Sequence, residues 1–419
     1  MVSTAVIDAQ PAGFNYDESK VPKYELPELL VSSKGQKITT AEQWTTLRRP
    51  ELLELYRTHV YGRSPGKPEQ MSFEVVAGSE DRQALGGTAT RKLVRIHLGP
   101  KTDGQAIDLL IYKPNNVAKA PVFLGYNFKG NHSVHADPGI PLPRTWMPNN
   151  REEAVVDNRA TEKGRATEAS RWQLEKVLGR GYALATIYYG DIEPDHAKGH
   201  EQGIRGWYAK NSKDADKLTW GAIGAWAWGL SRAMDYIESD PQLDAKRVAV
   251  IGHSRLGKTS LWAGAQDERF AIVISNNSGE GGAAITRRQF GETIERINTS
   301  FPHWFTTKFK DYNGKENDLP VDQHMLIALA APRPVYVASA EEDLWADPRG
   351  EFLAAHAATP VYQLFGKKGI DSAEMPELNK PVGESTGYHI RTGKHDVTAY
   401  DWDQYLNFAD KHFGKAGAR

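Results

Sequence analysis

Residues 247–259 read Arg-Val-Ala-Val-Ile-Gly-His-Ser-Arg-Leu-Gly-Lys-Thr, and the fold turns on how this stretch is parsed. Arg247 to Ile251 is a short β-branched run of the kind that forms a buried strand. The eight residues after it, Gly252 to Thr259, satisfy two patterns with different chemistries. Counted from the two glycines they spell G-x-x-x-x-G-K-[ST], a loop whose backbone N–H groups cradle phosphates while Lys258 neutralises them. Counted from the centre they form an elbow, a sharp strand-to-helix turn that lifts the Ser254 hydroxyl above a parallel sheet. The elbow pattern G-x-S-x-G is met loosely, because Leu256 takes the second glycine's place and Gly257 follows one residue later.

The remainder of the chain separates the two. A phosphate loop usually follows the first strand of its domain and needs a second acid for magnesium; this stretch lies past the middle of 419 residues. An elbow needs an acid and then a histidine, each in a loop after a later strand. Eight strand-like runs are expected: Leu93 to Leu98 and Ile107 to Tyr112 as an antiparallel pair across the turn-rich 99–104, then Pro121 to Tyr126, Tyr182 to Tyr188, Arg247 to Ile251, Ala271 to Ser275, Pro334 to Ala338 and Pro360 to Phe365. Asp343 follows the seventh and His395, in Thr392-Gly-Lys-His-Asp396, follows the eighth. Serine after strand five, acid after seven and histidine after eight is the order of the α/β-hydrolase fold, a three-layer αβα sandwich around a mostly parallel, twisted sheet of eight or more strands. A nucleotide-binding protein built on Gly252 to Thr259 remains as a remote alternative.

Helices are expected where crossovers require them. From Trp220 to Ser239, the residues Ile223, Ala227, Leu230, Met234 and Ile237 repeat at spacings of four and three and make one apolar stripe. Ser170 to Leu178, Ser254 to Ala265 and Asp401 to His412 are further helices. Thr40-Ala-Glu-Gln43 reads as a capping box, and Pro50 suits the first turn of a second helix. Residues 1–80 are expected to be an extension packed on a catalytic core of residues 81–419, the whole forming a single domain.

Composition removes several classes. Lys plus Arg number 52 against 53 for Asp plus Glu, so no general attraction to nucleic acid or an anionic membrane is expected. Cysteine is absent, which removes disulfides and thiolate chemistry. The opening Met1 to Asp8 has no basic segment followed by an apolar run, so no signal peptide is expected in this chain. No stretch approaches the roughly 20 apolar residues that span a bilayer. Eleven tryptophans and seventeen tyrosines offer faces on which sugar or aryl rings stack, although most are expected in the core, Trp220, Trp226 and Trp228 among them.

With Gly252-His-Ser-Arg-Leu-Gly-Lys258 in place, the chain resembles the glucuronoyl esterases, carbohydrate esterase family fifteen, whose signature is G-x-S-R-x-G-K. Asn127-Phe-Lys-Gly-Asn-His132 is similar to that family's N-F-x-G-N-H loop, Asn277-Ser-Gly-Glu-Gly-Gly282 to its S-G-x-G-G segment, and Glu342-Asp-Leu-Trp-Ala-Asp-Pro348 to the bacterial loop after strand seven. The resemblance runs from about residue 40 to the C-terminus. Two departures stand out. Fungal members carry cysteine before the nucleophile, where this chain has His253, so it looks like the bacterial branch. Many members carry a catalytic glutamate directly before S-G-x-G-G, where this chain has Asn277; an amide supplies no charge, and the acid moves to Asp343.

The chemistry follows. Ester hydrolysis by this arrangement needs a hydroxyl activated by an imidazole, with a carboxylate holding the imidazole's tautomer. Ser254, His395 and Asp343 take these roles, with His389 the substitute histidine. Glu342 is the alternative acid, Glu280 is a more distant one, and Glu341 and Asp347 read as solvated neighbours. Arg255 offers the oxyanion its backbone N–H, at a helix start, and its guanidinium; the Asn127 to His132 loop is where the fold usually places a second donor. For Arg255 a plain ion pair with a surface acid is the structural alternative. The resemblance assigns recognition of the sugar ring to Lys258, Glu292 and Trp345. It implies a serine esterase cleaving the ester between (4-O-methyl-)glucuronic acid of xylan and lignin alcohols, with no cofactor and no metal. It also implies a monomer, and export with a leader removed. An acetyl xylan esterase is the enzyme alternative, and a catalytically retired carbohydrate-binding protein the non-enzymatic one.

Overall fold

The centre of the sheet is built from runs that are apolar on both faces. The computed structural model describes residues 10–101, 105–150, 152 and 154–414. Met1 to Asp8 and part of the turn at 99–104 lie outside the described residues. In chain order the strands are β1 (Ser72–Val75), β2 (Asp81–Gln83), β3 (Ala89–His97), β4 (Ala106–Pro114), β5 (Ala120–Asn127), β6 (Val155–Val156), β7 (Arg159–Ala160), β8 (Ala183–Tyr188), β9 (Leu243–His253), β10 (Ile272–Asn276), β11 (Val335–Ala340), β12 (Val382–Gly383) and β13 (Thr386–Arg391). Eleven of them form one sheet in the order β1-β3-β4-β8-β5-β9-β10-β11-β13-β12, with β2 paired to β3, while β6 and β7 make a small separate ribbon. The six from β8 to β13 along that path run parallel; β1 to β4 and β12 join antiparallel.

Successive residues of the central strands feed opposite sides. Val122 and Leu124, Val248 and Val250, and Val335 and Val337 enter one core; Phe123, Ala249, Ile251, Tyr336 and Ala338 enter the other. Strands buried on both faces read as near-continuous apolar runs, which is why the sequence displays them. The larger core lies under the helices Ala222–Ser239 and Arg255–Gln266, the smaller under Leu174–Gly179 and Ala399–Phe413. Trp220, Trp226 and Trp228 are all buried in the larger one.

Three local expectations are corrected. Pro360 to Leu364 is helical, within Thr359–Leu364, with Phe365 as its C-cap, and the strand that precedes His395 is β13. Pro360 sits in the first turn of that helix, where its missing N–H costs nothing, and a short apolar run cannot by itself distinguish strand from buried helix. Helix 170–178 is broken in two at Gln173, which has φ of 46°. The reciprocal box at Thr40 is half formed: Thr40 Oγ1 accepts from Gln43 N at 3.1 Å, but Gln43 Oε1 accepts from Thr39 N. A complete box instead opens Ala399–Phe413, between Thr398 and Asp401.

Leu52, Leu53, Tyr56, Val60 and Tyr61 from the N-terminal extension belong to the larger core, and Tyr61 stacks on Trp262 at 4.6 Å. The sheet itself begins inside the extension, since β1 pairs with β3. Among the described residues no helix is long and apolar enough to cross a membrane.

Candidate active site

Strand register assembles the site. Gly252 of β9 lies opposite Ser275 of β10, Asn276 of β10 opposite Ala338 of β11, and Ala340 of β11 opposite Arg391 of β13. The four C-terminal ends are therefore level, and the loops leaving them carry Ser254, Asn277, Asp343 and His395 onto one rim. Ligand sites of parallel sheets lie at that edge.

Ser254 alone separates β9 from the helix Arg255–Gln266, with φ 58° and ψ −131°, a conformation that side chains rarely adopt. Its hydroxyl does not cap the helix. Gly252 is required here because a Cβ would stand 1.8 Å from Leu256 O. Gly257 closes the turn by passing Ser275 and Asn276 of the next strand and Ser278 just after it, so one glycine serves each side of the elbow although their spacing departs from the usual pattern. The phosphate-loop alternative is excluded on the same grounds. The chain turns in one residue, leaving no loop to wrap a phosphate. Lys258 is buried with Nζ donating to Ser278 O at 2.5 Å, and Thr259 Oγ1 donates to Arg255 O.

Asp343 and His395 meet: Nδ1 of the imidazole is 2.6 Å from Asp343 Oδ2. The carboxylate is buried while the imidazole stays 41 % exposed toward a cleft. Backbone bonds from Glu341 N to Arg391 O and from Glu342 N to Gly393 O tie the two loops together. The same Asp343 oxygen accepts from Asn277 Nδ2 at 2.8 Å, so the amide at the expected glutamate position buttresses the acid that replaces it. His395 also lies beside the elbow, its ring centroid 4.5 Å from that of His253.

The other candidates separate clearly. Glu342 is exposed, and its backbone carbonyl receives Gln10 Nε2. Asp347 pairs with Arg288 and caps the helix Pro348–Ala357. Glu280 accepts from Thr286 inside the protein. His389 is fully buried, between Asp401 and Tyr336, away from the cleft. None of these reaches His395 Nδ1, because their loops or strand positions point them elsewhere.

Ser254, Arg255, Lys258, Asn277, Glu292, Asp343, Trp345 and His395 line one cleft of about 770 Å³, a size that suits a small ring-shaped ligand. Lys258 Nζ lies 3.8 Å from Glu292, both buried. Burial raises the Glu292 pKa, opposed by the Lys258 and Arg255 charges, and burial lowers that of Lys258 against the pull of Glu292 and Glu280. Two mutually neutralising groups that share a desolvated wall give the cleft both a donor and an acceptor. Trp345 packs edge-on against Phe14, 4.9 Å between centroids.

Sequence reading missed four features. Arg255 does pair with an acid, but a buried one: Asp195, which also accepts from His303 Nε2 and Trp304 Nε1, each at 2.7 Å. Burial would raise the Asp195 pKa, but the His303 hydrogen bond, the Arg255 charge and the Trp304 indole hold it at about 2. The guanidinium also lies 4.9 Å from the Trp304 ring, and Phe301 stacks on Trp304 at 3.7 Å. Gln10 and Pro11 of the N-terminal segment line the cleft, and His253 underlies the imidazole. No local pattern announces a partner 60 residues away, so only tertiary structure could pair Asp195 with Arg255.

A serine on a strained turn between a parallel strand and a helix, with an acid–imidazole pair on the neighbouring strand ends, defines the class: the α/β-hydrolase fold. A family model described as glucuronyl esterase of fungi matches residues 182–366. The chain is 54% identical over 406 residues, 96% of its length and 93% of the relative's, to a carbohydrate esterase of an unknown prokaryotic organism. It is 28% identical to a 4-O-methyl-glucuronoyl methylesterase of Schizophyllum commune, over 81% of this chain and 74% of that one. The solved structure of a glucuronoyl esterase from Solibacter usitatus superposes with a TM-score of 0.88 at 54% identity, covering 94% of this chain and all of that one. The chain belongs to the glucuronoyl esterases of carbohydrate esterase family 15.

Proposed function

We propose that the protein is a serine esterase that hydrolyses esters of glucuronic or 4-O-methylglucuronic acid on xylan, releasing alcohols such as those of lignin. The observation that carries this is the Asp343–His395 pair set beside the Ser254 elbow in a cleft whose wall is the Lys258–Glu292 pair. His395 takes the Ser254 proton as Oγ attacks the ester carbonyl, and Asp343 holds the tautomer and balances the imidazolium. The proton passes to the departing alcohol as its C–O bond breaks; water, activated by the same imidazole, then releases the acid from Ser254. Arg255 begins its helix, so its N–H has no intrahelical acceptor, and its Nε is buried with no hydrogen-bond partner among the described residues. Both donors are suited to the oxyanion, which is worth on the order of 10²–10³ in rate per donor. Lys258, Glu292 and Trp345 bind the ring. Residues 1–80 extend the catalytic core of one domain, the protein acts as a monomer, and it uses no cofactor.

The test is product analysis of the purified protein on a benzyl glucuronate ester, a methyl galacturonate and acetylated xylan. Free glucuronate with little galacturonate is the expected result. Acetate from acetylated xylan with no acid from the glucuronate ester would replace this reading with an acetyl esterase, which binds sugar on the leaving-group side.

A further inference from the structure

Among the described residues the His395 ring has one hydrogen-bond partner, Asp343, and the side chain is nearly half-exposed. A single hydrogen bond leaves rotation about its own axis open, yet proton transfer to Ser254 requires a fixed plane. The ring against its other face is His253, the residue before the nucleophile, at 4.5 Å between centroids and 42° between planes. His253 is buried and stands behind the substrate cleft, where it lines a small separate cavity with Tyr126, Asn127 and Trp402.

His253 is itself held. Its Nδ1 lies 2.6 Å from Asn276 Oδ1. Asn276 Nδ2 points to Tyr405 Oη at 2.8 Å and Asp401 Oδ1 at 3.3 Å. A carboxylate only accepts, so the amide nitrogen faces it, the amide oxygen faces His253, and Nδ1 of His253 carries the proton. Asp401 also accepts from Arg391 Nε at 2.8 Å, and the Arg391 guanidinium donates to the carbonyls of Thr392, Lys394 and Asp396, bracketing His395. One buried carboxylate therefore organises both the loop that carries the catalytic imidazole and the ring beneath it.

We propose that His253, oriented by Asn276 and Asp401, is a positioning residue that packs under His395 and fixes the plane from which its Nε2 reaches Ser254. This rests on the esterase reading of Ser254 and His395. His253 stays neutral: burial, the neighbouring His395, and the Arg171 and Arg391 charges hold its pKa well below the ordinary histidine value. A neutral ring excludes water from one face of His395 without adding a second positive charge beside it.

The experiment compares His253→Ala, His253→Phe and His253→Gln with the wild type on a benzyl glucuronate ester, measuring kcat, KM and thermal unfolding. His253→Ala should lower kcat by about tenfold to a hundredfold with KM within about twofold, since small misplacements of a reacting group cost that much. With the ring removed, water reaches that face of His395 and the imidazole is free to turn about its bond to Asp343. His253→Phe, which keeps a flat ring, should recover kcat to within about threefold, whereas His253→Gln, polar but ringless, should not.

A folded His253→Ala with unchanged kcat overturns the proposal. So does a Phe variant no better than Gln, and that comparison stands if the Ala variant does not fold. Loss of thermal stability with unchanged kcat would make His253 a core residue only. His395→Ala run alongside separates the two claims: full turnover there would remove the esterase reading itself.

Discussion

Replacing Asp343 by asparagine tests the core of the mechanism, because it changes charge and almost nothing else. The carboxylate is buried and accepts from both His395 and Asn277. With charge centres about 4 Å apart and an effective dielectric near 20, the attraction for a protonated His395 is about 4 kcal/mol. That is roughly 10³ in rate, and the amide can also hold the wrong tautomer, which in a serine-protease triad costs about 10⁴ in total. Because His395 is 41 % exposed, water supplies part of what the charge provided, and a kcat loss of about 10²–10⁴ is expected. KM should hold within about threefold, since Asp343 bonds the base and not the ring. Steady-state kinetics on a benzyl glucuronate ester, with unfolding curves to verify the fold, measure this. The double variant Asp343→Asn/Asn277→Asp returns a carboxylate to the adjacent position and should regain about tenfold. A single variant within tenfold of wild type would show that another group supplies the charge, and the Asp343 assignment would be wrong.

Three further outcomes are expected. Ser254→Ala should abolish turnover and covalent labelling by a fluorophosphonate; labelling that persists would place the nucleophile elsewhere. Asp195→Asn removes the buried charge that anchors Arg255 and should lower kcat by about tenfold to a hundredfold, with a wild-type kcat showing that the guanidinium is held by its aromatic neighbours alone. Burial raises the Glu351 pKa to about 7, against hydrogen bonds from Ser339 and the Gly279 and Ser278 amides. A carboxyl raised in the folded state contributes stability that is complete below its unfolded value and lost as pH rises through 7, so stability should fall between about pH 4.5 and pH 7. Glu351→Gln, which retains the acceptor for both amides, should gain on the wild type by roughly 3 kcal/mol over that window in denaturant titrations. A difference independent of pH would mean that Glu351 does not titrate there.

Much of the site was legible because its signals are local or ordered along the chain. The elbow, the acid after one strand and the histidine after the next are fixed in sequence by the topology, so Ser254, Asp343 and His395 could be named before their distances were known. The strand preceding His395 could not. Thr386 to Arg391 holds a glycine and two polar side chains, His389 and Arg391, which are buried against Asp401 and Tyr336. Val361 and Tyr362 advertise a strand and are packed as helix.

The amino-acid order determined the central strands and the elbow, since a doubly buried strand and a one-residue turn each demand residue types that can be read in place. Tertiary structure decided which acid touches the imidazole among Asp343, Glu342 and Glu280, that Arg255 is held by Asp195, and that His253 lies beneath His395. Those choices depend on which strand ends come level and which side chains lose water together. Such distances in space have no counterpart in spacing along the chain.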